Sequence, residues 1–116
     1  MGAVFNEITA RIASGQSLSG VVMCGSGIPV AVEMPSQWTA ASLTFQGSVD
    51  GSNFYDIADT NGIYELNVGA NQHVAMDAAF FAGVRFLKVR SGTPTTPVAQ
   101  GADRDIRIIA RKEPRR

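Results

Sequence analysis

The sequence predicts an all-β protein: an antiparallel β-sandwich, a jelly roll of about eight strands, with a short N-terminal arm. Three observations predict it. Leu43, Phe45, Gly47 and Val49 alternate with Thr44, Gln46 and Ser48, which is the period of a strand with one buried face. Asp50-Gly51 follows at once, aromatic residues resume at Phe54, and Asn61-Gly62 repeats the device. Tight hairpin turns need positive φ, which glycine adopts without strain. Similar apolar runs recur about every ten residues, with almost no helical pattern between them. Eight strands in two Greek keys make a jelly roll, whereas an immunoglobulin-like sandwich usually carries seven.

Residues 1–15 form the arm, 16–112 the sandwich domain and 113–116 a basic tail. In the arm, Val4, Ile8 and Ile12 recur every fourth residue beside Phe5, which fits a short helix ended by Ala13-Ser14-Gly15. A terminal arm that orders against something else fits equally, and deleting 1–12 is then expected to leave a folded domain. Strands are expected over 17–24 and 28–34, split by Gly25-Ser26-Gly27, and the second alternates Ile28, Val30, Val32 and Met34. Pro35-Ser36 breaks the pattern. Strands 42–49 and 53–58 flank the Asp-Gly turn. In 63–68, Tyr64, Leu66 and Val68 make one face and Ile63, Glu65 and Asn67 the other. Strand 72–77 leads to a compact turn or single helical turn over 78–83. Strands 84–91 and 104–111 complete the set, the last with Ile106 and Ile108 on one face and Arg107, Ile109 and Arg111 on the other. The loop 91–103 contains Pro94 and Pro97, and its length marks a projecting contact loop. The expected core is Val30, Val32, Leu43, Phe45, Leu66, Val74, Phe86, Val89, Ile106 and Ile108.

At 116 residues the chain makes one domain, and 45% hydrophobic against 17% charged residues reads as globular. No apolar stretch is long enough to span a membrane, and the N-terminus lacks the basic and apolar regions of a secretory signal. Cys24 is the single cysteine, so an internal disulfide and a cysteine metal cage are excluded. Net charge is zero but uneven. Residues 1–77 hold seven acids and only Arg11, while 78–116 hold nine of the ten bases and three acids. The two halves can pair within one fold or between neighbouring copies.

Catalytic grammar is missing from this pattern. His73 is the only histidine and has no nucleophile elbow to serve, so the chain is read as a non-enzyme without a cofactor. Asp50, Asp56 and Asp59, with Asn53 and Asn61, gather oxygen ligands around the hairpins, but their spacing is not that of a calcium loop, and turns use the same residues. No metal site is assigned. Arg104, Arg107, Arg111, Lys112, Arg115 and Arg116 resemble a nucleic-acid patch, against which the neutral net charge argues. Tyr55 and Trp38 are candidates for stacking on a sugar.

Two resemblances arise from these residues. The run Leu43-Thr-Phe-Gln-Gly-Ser-Val-Asp-Gly-Ser-Asn-Phe-Tyr-Asp-Ile57, followed by Gly83-Val-Arg-Phe-Leu-Lys-Val-Arg90, resembles the central segments of discoidin-type, galactose-binding-like jelly rolls. That likeness implies a fold and transfers no ligand motif. Over most of 12–111, the series Ile12-Ala-Ser-Gly-Gln-Ser-Leu-Ser, Met34-Pro-Ser-Gln-Trp-Thr-Ala-Ala-Ser-Leu-Thr-Phe-Gln, Phe81-Ala-Gly-Val-Arg-Phe-Leu-Lys-Val-Arg-Ser-Gly-Thr and Gln100-Gly-Ala-Asp-Arg is similar to small virion proteins of tailed bacteriophages and prophages. The resemblance implies a structural particle component assembled in the host cytoplasm. It would be a capsid decoration or auxiliary head protein, homo-oligomeric, with the major capsid protein or other virion proteins as partners. A neck or head-vertex spike and a glycan-binding module for host attachment are the alternatives. The expected interface residues are Val4, Phe5, Ile8, Pro94, Pro97, Arg107, Arg111 and Lys112.

Overall fold

A computed structural model of the chain, describing residues 4–112, is all-β and antiparallel. Its strands are β1 (Val4–Ile12), β2 (Val22–Met23), β3 (Ile28–Glu33), β4 (Leu43–Ser48), β5 (Tyr55–Asp56), β6 (Ala58–Asp59), β7 (Gly62–Ile63), β8 (His73–Ala75), β9 (Phe86–Ser91) and β10 (Arg104–Lys112). A 3-10 turn, Ala78–Phe81, lies between β8 and β9, where the sequence called for a compact turn. One sheet has the order β1-β10-β3-β8 and the second β2-β9-β4-β5, while β6 and β7 form a separate hairpin. The pairing is nested: first strand with last, β2 with β9, β3 with β8, and β4 with β5.

The helix allowed by the spacing of the first residues does not form. Val4 through Ile12 instead pair residue by residue with Lys112 through Arg104 of β10. The reason lies in arithmetic. A spacing of four is an even number, so Val4, Ile8 and Ile12 share one face of a strand as well as one face of a helix. Ala10 sits between Ile8 and Ile12 on the same face, and β10 supplies the ladder that decides the matter. The arm therefore orders against its own chain. Ala10 and Ile12 are fully buried, so deleting 1–12 would strip an edge strand and part of the core.

Inside, Leu43, Phe45, Leu66, Val89, Ile106, Ile108 and Val32 are buried as the alternation predicts. Phe81 and Phe45 meet edge to face at 5.2 Å, and Tyr64 stacks on Phe80 at 4.3 Å. Val30 is only half-buried, and Val74 packs against the core from its border. Two assignments fail by parity. Leu87 and Val89 are the inward residues of β9, so Phe86 falls on the outer face, where Gly51 lies against its ring. Val49 was grouped with Phe45, but it is exposed. The chain leaves the ladder at Ser48, whose Oγ accepts from the Asp50 and Gly51 amides and turns Val49 outward.

The loop after β9 is tied to the domain at both ends, with Thr95, Thr96 and Pro97 exposed at its tip. Its tip closes on itself through Thr93 and Thr96, Gly92 donates to Ser42, and Val98 returns to Ser91. Its far half is fixed by Gln100, a glutamine buried almost completely. The Gln100 amide accepts from Thr39 N at 2.9 Å and donates to Thr39 O at 3.0 Å, as a neighbouring strand would. It also donates to Ser91 Oγ at 2.6 Å and accepts from Arg104 Nε at 3.1 Å.

Candidate interface surfaces

The acids of the hairpin serve turn geometry. Asp50 Oδ1 accepts from the amides of Ser52 and Asn53, and Oδ2 accepts from the Asn53 side chain. Those donors, first among them the Asn53 amide, hold the carboxyl well below the usual aspartate range. Asp59 caps Asn61 in the same manner at 2.8 Å. Asp56 reaches across from β5 to Arg90 Nη1 at 3.0 Å. Arg90 is itself buried and lies 3.4 Å from Thr44 Oγ1. Among the described residues, no group of three or more His, Cys, Asp or Glu side chains is placed to hold a metal ion.

His73 lies on the exposed outer face of the first sheet, with Nδ1 3.0 Å from Glu33 Oε2. Cys24 is buried just after β2, and burial pushes its thiol up to about 11, which leaves it protonated and inert at neutral pH. Trp38 is half-buried, packs against the core and gives its indole N–H to Ala41 O at 3.1 Å.

The uneven charge finds intramolecular partners. β10 lies between β1 and β3, so its bases meet the acids of the first half of the chain. Arg107 bridges Glu7 at 3.6 Å and Glu33 at 3.4 Å. Arg11 clasps Asp105 with two bonds of 2.8 and 3.0 Å, and Asp103 stands 3.8 Å away. These pairs are exposed, and each contributes about 0–1 kcal/mol.

The expected interface residues divide into separate places. Val4, Phe5, Arg111 and Lys112 share one end of the β1–β10 ladder, where Phe5 and Ile28 flank Arg111 across the sheet. Pro94 and Pro97 belong to the loop at the other end, which packs beside Ser42 and Gln16. Ile8 faces inward and packs on the core. Arg107 lies mid-sheet in its ion pairs.

Sequence reading missed Val21 and Met23. β2 lies at the edge of the second sheet, and β1 at the corresponding edge of the first. Val4, Phe5, Val21 and Met23 are 51, 61, 48 and 69% exposed, so apolar side chains stand open on both edge strands beside the exposed Asn6, Glu7, Thr9 and Arg11 of β1. Reading 17–24 as one strand hid the fact that Val22, between the two, is the inward residue.

The opposite flank, at β5, carries a cleft of about 520 Å³ between the β4–β5 loop and the segment leading into β9. Its apolar wall is Val49, Tyr55, Ile57, Phe80 and Val84, and Asp50 and Asp56 lie on its rim. Gly47 also lines it, close under Val84 and Ile57: a Cβ there would stand 3.1 Å from Val84 and 3.3 Å from Ile57. No helix among the described residues is long and apolar enough to cross a membrane. No family model, curated protein or solved structure matches this chain.

Proposed function

We propose that this chain is a non-enzymatic structural component of a tailed-phage virion, a capsid decoration or auxiliary head protein that acts through protein–protein contacts. The observation that carries the reading is the apolar flank of β1 and β2. Exposed edge strands are ordinarily protected by charge, proline or a covering segment; β1 carries Glu7 and Arg11 further along, but it opens on the exposed Val4 and Phe5. The sequence resemblance to small phage virion proteins supplies the kind of assembly. The nested strand pairing supports a jelly roll as the scaffold. A partner that binds only the assembled shell shifts assembly toward completion by mass action.

Mass spectrometry and imaging of intact particles test the proposal. Copies on the order of hundreds indicate decoration, and about a dozen or fewer a neck or vertex position. A chain absent from purified particles refutes it. One observation favours a second reading, a carbohydrate-binding module on the particle: Tyr55 stands 71% exposed at the mouth of the cleft. Glycan-array binding that disappears in Tyr55→Ala would establish that reading.

A further inference from the structure

We propose that Asn61, at the tip of the β6–β7 hairpin, is a site of spontaneous deamidation. The backbone nitrogen of Gly62 loses its proton to base and attacks Asn61 Cγ. The Cγ–Nδ2 bond breaks, Nδ2 takes up a proton and leaves as ammonia, and a five-membered succinimide remains. Water then opens the ring at either carbonyl, giving aspartate or isoaspartate. One water is consumed and one ammonia released, with no change of oxidation state.

Asn61-Gly62 is the one Asn-Gly pair in the sequence. Glycine leaves its nitrogen open to attack, because it has no side chain to stand in the way. The surroundings are open too: a Cβ placed on Gly62 would meet nothing within 4 Å, and both residues are exposed. The Asn61 side-chain amide has no hydrogen-bond partner among the described residues. The hairpin stands apart from both main sheets and pairs only Ala58 with Ile63 and Asp59 with Gly62. So short a ladder opens readily, which gives the Gly62 nitrogen the freedom that ring closure needs.

The other tight turn, Asp50-Gly51, carries the same chemistry through its carboxyl, and there the structure blocks it. The Gly51 nitrogen, which would be the nucleophile, donates to Ser48 Oγ at 2.9 Å. The Asp50 carboxyl accepts from Asn53, Ser52 and Ser48 and is held ionised, a poor target for attack. A Cβ on Gly51 would stand 3.3 Å from the Phe86 ring, so this turn is also packed. Asn53 is held as well, since its side chain donates to Asp50 Oδ2. The hydrogen bonds select Asn61.

Deamidation adds one negative charge to a chain of zero net charge, two residues from Asp59. Isoaspartate also inserts a methylene into the backbone of the turn. The hairpin should open, while Tyr64 and Leu66 keep their backbone bonds to Ile57 and Leu43. This chemistry needs no particle and is independent of the role proposed above.

The folded full-length chain is held in warm, mildly alkaline buffer and followed by isoelectric focusing. Peptide mapping by mass spectrometry separates aspartate from isoaspartate. An acidic species should accumulate, its mass gain of about 1 Da confined to the peptide holding Asn61 and divided between the two isomers. Asn61→Gln should abolish that species, because the longer side chain would have to close a six-membered ring; matching thermal melts check that the variant is folded. Isoaspartate from Asp50 should appear only after urea has unfolded the chain. A folded chain whose Asn61 stays intact, or whose Asn53, Asn67 or Asn71 deamidates as fast, overturns the proposal. So does an acidic species that survives Asn61→Gln. Isoaspartate forming from Asp50 in the folded chain as fast as from Asn61 overturns it too, since the hydrogen bonds would then select nothing.

Discussion

Replacing Gln100 by alanine should cost the protein about 3–5 kcal/mol, a large share of the stability of a domain this size. The side chain is 1% exposed and makes four hydrogen bonds. Ser91 Oγ loses its partner in a fully buried position, which costs about 1–3 kcal/mol. The Thr39 peptide is half-buried and regains water in part, so its two lost bonds contribute about 0.5–1.5 kcal/mol each. Lost methylene burial adds about 0.8 kcal/mol per group. Urea denaturation monitored by far-UV circular dichroism measures the effect as a fall in midpoint at constant slope. The melting temperature should drop by roughly 15 °C. A double-mutant cycle with Ser91→Ala should show coupling, because the two side chains share a bond. A loss below about 1 kcal/mol would mean that water replaces the amide and that the loop is held by its backbone alone.

Phe45→Ala removes a fully buried ring packed against Phe81 and should destabilise by about 3–5 kcal/mol; an unchanged melting temperature would place the inner face on the wrong residues. Asp56→Ala leaves Arg90 buried without its carboxylate and should cost about 2–4 kcal/mol, which Arg90→Met made in the same chain should largely restore. Asp50 has a folded-state pKa below its unfolded value of about 3.9, so the stability it contributes is complete above that value and is lost as pH falls through the folded value. Urea midpoints taken from pH 5 to pH 2 should therefore fall less steeply for Asp50→Asn than for wild type, and equal slopes would remove the carboxylate from the acid response.

Much of the sandwich was legible because its inner face alternates with few interruptions in the longest strands. Leu43 and Phe45 in β4, and Ile106 and Ile108 in β10, could be assigned from period alone. The alternation of Tyr64, Leu66 and Val68 against Ile63, Glu65 and Asn67 also held, although only Gly62–Ile63 is a strand there. The first residues were ambiguous for a physical reason, since a four-residue spacing satisfies both periods. Phe86 was misplaced because a large aromatic looks like core, and the glycine that lies against it sits 35 positions earlier in the chain. Gln100 carried no local signal at all: a glutamine in a polar loop reads as solvated until Thr39 and Ser91 are brought beside it. The apolar flank was half visible. Val4 and Phe5 stood out, but Val21 and Met23 required knowing that β2 lies at a sheet edge.

The position of the last strand has a consequence for synthesis. β10 lies between β1 and β3, and β9 lies between β2 and β4, so each sheet is closed by one of the last two strands in chain order. Until Arg104–Lys112 emerges, β1 has no ladder partner, and the first sheet cannot close over the second. Folding is accordingly a late event, dominated by pairings distant in sequence and slow for that reason. A ribosome that stalls before residue 104 releases a chain with an unpaired first strand and exposed apolar residues, a substrate for chaperones or for aggregation. A chain cut before residue 104 should therefore hold no partial domain, because the nine-residue β10 is what closes the first sheet.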